Sequence, residues 1–122
     1  MKALLIVGVI NGFLAVALGA FGAHGLEGKI SDQALKTWEK AVQYQMFHTV
    51  SILFTALAMI KIQATSLAWS GWLFTIGIIL FSGSLYVYST TGIRSLAMIT
   101  PFGGVFFLIG WIVLGYTMIK VL

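Results

Sequence analysis

The sequence contains no cysteine, so it has no disulfide framework, no thiolate nucleophile and no thiolate metal ligand, and it gives no redox clue to compartment. Proline occurs once, at Pro101, which leaves long stretches where no ring forces a helix to break. Charge is almost as scarce. Three acidic and seven basic residues make 8% of 122 positions, against about a quarter in a soluble domain. With 60% apolar residues and a mean hydropathy of +1.04, an ordinary soluble domain is excluded. The basic residues are scattered over loops and ends, so no cluster exists to grip nucleic acid, and that partner class is set aside. At this length the chain is one domain.

Where the ten charges fall is more informative than their number. They leave four charge-free stretches, 3–26, 41–60, 62–93 and 95–119, of 24, 20, 32 and 25 residues. A helix needs about 20 residues to cross a hydrocarbon core about 30 Å thick. The spacing therefore predicts four spans, at about 3–23, 43–60, 67–89 and 96–119. The first stretch imitates a secretory signal, but signal cores run only about 7–15 residues, so it reads as the first span. Its small residues Gly8, Gly12, Ala15, Gly19 and Ala23 share one helix face and predict a close helix–helix seam. Spacing alone leaves open whether the partner lies within the chain or in a second copy.

Residues 27–40 hold all three acids. Ser31 and Asp32 are a suitable helix start, and Leu35, Trp38, Val42 and Met46 recur at helical spacing opposite Asp32, Lys36, Glu39, Lys40 and Gln43. An amphipathic interfacial helix over about 31–42 is predicted, with Trp38 at headgroup level. The second span is the unusual one. After His48 it is wholly apolar for only about 12 residues to Ile60, too short to cross unaided. It spans only by carrying polar residues with it. Tyr44, His48, Ser51 and Thr55 share a face that must turn to the bundle or to a wet cavity, because an unpaired polar group in hydrocarbon costs several kcal/mol. Trp69, Trp72, Tyr86, Tyr88 and Tyr116 stand at span ends, as interfacial anchors do. Pro101, followed by Gly103 and Gly104, is expected to kink or delay the fourth span. Gly103, Gly110 and Thr117 form another small seam, and Gly77 with Ser84 a third. Basic residues divide almost evenly between the two sides, so charge sets no orientation.

The motifs Gly19-Ala-Phe-Gly-Ala-His-Gly-Leu26, Tyr44-Gln-Met-Phe-His48, Phe81-Ser-Gly-Ser-Leu-Tyr86, and Ile99-Thr-Pro-Phe-Gly-Gly104 with Gly110-Trp111 lie in order over nearly the whole chain. On them the sequence resembles the YgdD/YwdK family of small bacterial membrane proteins, a domain-of-unknown-function family. The resemblance implies four spans in a bacterial plasma (inner) membrane and brings no activity, substrate or catalytic residue.

Three chemistries come into question for these residues. His24, His48, Glu27 and Glu39 would form a metal site if the 27–40 segment folded back over the bundle, since imidazole and carboxylate suit zinc or iron. No His pair at i, i+4 supports this, and hydrogen bonding of His24 and His48 across helices is the simpler role. A polar pathway would run through His48, Tyr44, Ser51 and Thr55, faced by Asn11, although no acid or base lies deep in any span. Catalytic residues are not identifiable; Ser82 and Ser84 lack the context of an intramembrane serine nucleophile.

The fold expected is therefore all-α: an integral membrane four-helix transmembrane bundle with an amphipathic interfacial helix between helices 1 and 2. The expected function is a non-enzymatic, multi-pass membrane protein without cofactor, organising or stabilising the membrane or a membrane complex. Its expected partners are lipids and either a second copy or another membrane protein. The alternative is a small oligomeric transporter or channel using the helix 2 stripe; a metal-dependent membrane enzyme is the distant third.

Overall fold

The computed structural model describes all 122 residues and is entirely helical. Four long helices follow one another: α1 (Lys2–Leu26), α2 (Asp32–Lys61), α3 (Thr65–Thr91) and α4 (Arg94–Val121). At 1.5 Å per residue each is roughly 37–45 Å long, more than a hydrocarbon core requires. Three of them, α1, α3 and α4, are apolar enough to cross a membrane by length and composition.

Local chemistry explains the boundaries. The Ser31 hydroxyl accepts the Ala34 N–H at 3.1 Å to start α2, with Asp32 in its first turn. From there to Lys61 no glycine or proline occurs, and the helix runs unbroken for 30 residues. The structure thus draws no boundary between the predicted interfacial helix at 31–42 and a second span at 43–60. Gly28 and Gly92, at φ +81° and +73°, supply the left-handed backbone of the two loops at one end of the molecule. Pro101 stands in the first turn of the main run of α4, Thr100–Val121, where its missing N–H removes no intrahelical bond. A separate turn, Arg94–Ala97, precedes it, so the proline delays the helix and does not bend it.

Packing follows two antiparallel seams. Along α1, Gly8 lies over Leu53, Gly12 over Thr49, Gly19 over Val42 and Gly22 over Trp38; the steps up α1 match those back along α2 until the last, where three residues of α1 answer four of α2. The predicted seam thus packs within the chain. Ala15 is buried in it, whereas Ala23 faces outward and Gly22 occupies the last contact. Between α3 and α4 the register is set by phenylalanines seated on glycines: Phe74 on Gly110, Phe107 on Gly77, and Phe81 on Gly103. Here α3 widens to a π-helical segment, Ile78–Gly83, which contains both Phe81 and the buried Ser82. The core where these seams meet comprises Leu4, Ile52, Ala56, Leu67, Phe74, Ile78, Phe107 and Leu114. Helices α2 and α3 form the central pair, with α1 seated on α2 and α4 on α3.

Candidate functional site: the polar interior of the second helix

Helix α2 is amphipathic in the inverted sense. Gln45, His48, Thr49, Ser51 and Thr55 are buried, while Phe47, Val50, Phe54 and Leu57 are exposed on the opposite side. In water this arrangement would be unfavourable on both faces; in lipid it is favourable on both, provided the inward groups are hydrogen-bonded.

They are. Gln45 is the centre of a relay across three helices. Its amide donates to the Asn11 Oδ1 of α1 at 3.0 Å, and its carbonyl accepts the Tyr86 hydroxyl of α3 at 2.6 Å. Asn11 in turn donates to the Val7 carbonyl at 2.9 Å. One turn deeper, His48 links α2 to α4. Trp111 Nε1–H donates to His48 Nε2 at 3.1 Å, and His48 Nδ1 lies 2.8 Å from the Tyr44 carbonyl. An indole N–H is only a donor, so Nε2 must carry a lone pair, and Nδ1 then carries the proton that a carbonyl requires. The two partners together define a neutral Nδ1–H imidazole with both nitrogens engaged. Its ring stacks on Phe107 at 3.6 Å and 8°.

The remaining stripe is satisfied locally. Ser51 donates to the Phe47 carbonyl at 3.0 Å and Thr55 to the Ile52 carbonyl at 2.8 Å, both within α2. Tyr44 is partly exposed and packs against Phe81 with ring centroids 4.5 Å apart and planes tilted by 33°. Asn11 reaches Gln45, not His48, so the five pathway candidates do not form one track. No buried side-chain nitrogen or oxygen lacks a partner.

Further polar bonds tie the helices in pairs. Trp38 is buried, not held at a surface, and donates to the Leu18 carbonyl at 2.9 Å while packing on Tyr86. Ser82 donates to the Ala41 carbonyl at 2.7 Å, and Ser70 to the Gly110 carbonyl at 2.9 Å. Ser84 meets Thr100 at 2.6 Å, and Ser66 meets Thr117 at 2.5 Å. Each such bond between membrane helices contributes about 0.6 kcal/mol on average.

The metal candidates lie apart. His24, Glu27 and Glu39 are exposed, whereas His48 is buried. Glu39 and His48 are nine residues apart on one helix, about 13.5 Å along its axis and on opposite faces. No group of three or more His, Asp or Glu side chains gathers anywhere in a way that would hold a metal ion.

The residues that sequence reasoning missed are Gln45 as a hub, Tyr86 and Trp111 as donors, and Trp38 as a buried bond. Their signal was the presence of donor-bearing aromatics opposite a span too polar to cross alone. On the outer side of His48, between α2 and α4, lies an open groove of about 640 Å³ with walls of Tyr44, Phe47, Phe81, Phe107 and Trp111.

Comparison with known proteins adds a family. The family model described as "Protein of unknown function (DUF423)" matches residues 18–104. The chain is 50% identical to the UPF0382 membrane protein YwdK of Bacillus subtilis over the full length of both. It is 48% identical to a UPF0382 membrane protein of Staphylococcus epidermidis over 98% of each chain, and 51% identical to one of Staphylococcus aureus over 93% of each. No solved structure matches the chain.

Proposed function

The chain belongs to the DUF423 family of membrane proteins, and on that premise we propose that it is a four-span protein of the bacterial plasma membrane with a scaffolding role. It organises the membrane or a membrane complex through helix packing and lipid contact. The observation that carries this reading is the inverted amphipathicity of α2. Its outward stripe, Phe47, Val50, Phe54 and Leu57, suits lipid, and its inward polar groups are all hydrogen-bonded, Gln45 and His48 to other helices and Thr49, Ser51 and Thr55 within α2. Ala41 to Ile60, between Lys40 and Lys61, is 20 residues, about the 30 Å of a hydrocarbon core. The charged start of α2, Asp32 to Lys40, then stands beyond that core as the amphipathic interfacial part of the same helix. Both termini and the Lys61 loop lie on one side, with the Gly28 and Gly92 loops on the other.

A conducting role receives less support, because Ser51 and Thr55 bond their own helix and both His48 nitrogens are occupied. The exposed apolar faces of all four helices are free for lipid, a second copy or another membrane protein. Two measurements test the reading. Cysteines introduced singly at Gly28, Gly92 and Gln63 should label from opposite sides, Gly28 and Gly92 together and Gln63 alone; any other pattern removes the four-span topology. Reconstituted vesicles should show no proton or cation flux above protein-free vesicles. Flux that His48→Ala abolishes would replace the scaffold with the transporter.

A further inference from the structure

The groove between α2 and α4 has the depth, lining and charge of a lipid site, and we infer that it binds one acyl chain of an anionic glycerophospholipid. The inference rests on the four-span reading and specifies the lipid contact. The groove follows α2 from Gln43 to His48 and α4 from Pro101 to Trp111. Ten residues of α4 cover about 15 Å, one leaflet of a 30 Å hydrocarbon core. Its walls are the rings of Tyr44, Phe47, Phe81, Phe107 and Trp111, and its floor is opened by Gly104, where an added Cβ would meet nothing within 4 Å. The His48 imidazole is already doubly bonded and offers the groove no free nitrogen, so the occupant's buried part is apolar.

Charge identifies the headgroup. Lys40 is one turn before Tyr44 and Lys36 one turn before Lys40, so both stand in line above the groove, and both are exposed. Glu39 is about 100° around the helix from Lys40 and lines the α1 side instead. A lysine stem can lie along the apolar wall while its ammonium meets a phosphate. Near an anionic membrane surface each lysine is expected to favour an anionic lipid roughly fivefold.

The test uses the full chain carrying Trp69→Phe and Trp72→Phe, two exposed indoles that would otherwise report bulk lipid. Trp38 is buried against α1 and Trp111 lines the groove, so quenching by lipids brominated on the acyl chain reports groove occupancy. Brominated phosphatidylglycerol should displace phosphatidylcholine with a relative binding constant well above one, at most about 25-fold for two lysines. Lys36→Gln with Lys40→Gln should bring the ratio to about one. Gly104→Leu, which fills the groove, should remove Trp111 quenching by either lipid. Gly115→Leu, at a glycine on the same helix that is also open but away from the groove, should change neither result. Equal quenching by the two lipids in the parent protein, or a preference that survives Gly104→Leu, overturns the proposal. Helical circular dichroism and cysteine-labelling topology are read on every variant. If they are intact while lipid preference is absent, the groove fails and the scaffold reading stands; if labelling contradicts four spans, both fall.

Discussion

Two adjacent glycines in α4 should respond in opposite ways to the same substitution. An added Cβ at Gly103 would come within 2.8 Å of the Cα of Phe81, and its closest neighbour is the Phe81 backbone nitrogen. Neither atom can rotate away, so α3 and α4 must separate by several tenths of an ångström at a point where Phe81, Phe107 and Phe74 are each seated on a glycine. At Gly104 the same Cβ enters open groove. Both substitutions gain the helix preference of alanine over glycine, about 0.5–1 kcal/mol. That gain cancels in the comparison and leaves overpacking alone, about 1–3 kcal/mol. Gly104→Ala should therefore be slightly more stable than the parent, and Gly103→Ala less stable, separated by about that amount. Reversible unfolding in mixed micelles with rising dodecyl sulfate fraction, followed by far-ultraviolet circular dichroism, measures both. Shifts of the same sign and size would refute the close backbone approach.

Three further outcomes follow from the polar interior. In a double-mutant cycle, Gln45→Leu and Tyr86→Phe should couple by about 0.5–1.5 kcal/mol, because either alone strands the other's partner across a 2.6 Å bond; additivity would mean that the bond carries no stability. Trp111→Phe should cost about 1 kcal/mol and broaden the His48 ring resonances, since it removes the indole donor that holds Nε2; an unchanged Nδ1–H signal and an unchanged unfolding midpoint would contradict the link. Gly8→Ala should be milder than Gly103→Ala, because the obstructing atom is the Leu53 Cδ2 at 2.5 Å, the free end of a side chain; a larger loss would show that Leu53 is rigidly held.

Much of the outline is legible in the sequence. Each of the four long helices corresponds to one charge-free stretch, although α2 begins at Asp32, ahead of Lys40, and the glycines at 8, 12 and 19 did mark a face that packs closely, since small residues at helical spacing declare themselves in one dimension. The last step of that seam was not legible: positions three and four after Gly19 both fall near its face, and the structure sets Gly22, not Ala23, against Trp38. The roles of Phe81 and Ser82 were hidden as well, because their partners, Gly103 and the Ala41 carbonyl, lie on other helices. Trp38 resembles an interfacial anchor in sequence because an indole suits both a headgroup layer and a buried carbonyl. Only the approach of Leu18 in α1, at 2.9 Å, selects the second.

By itself the sequence determined the helical class, the four long segments, the family and the fact that one segment is too polar to meet lipid on every side, because hydropathy and charge act locally along the chain. Which groups that segment meets was decided by the tertiary structure. Asn11, Tyr86 and Trp111 lie 34, 41 and 63 residues from their partners in α2, and no local preference links them. Hydrogen bonds are short-ranged and directional, so a polar stripe becomes a sealed relay or an open path only when other helices are laid against it. In this protein they seal it on the inside and leave, on its outer flank, a groove walled by aromatic rings.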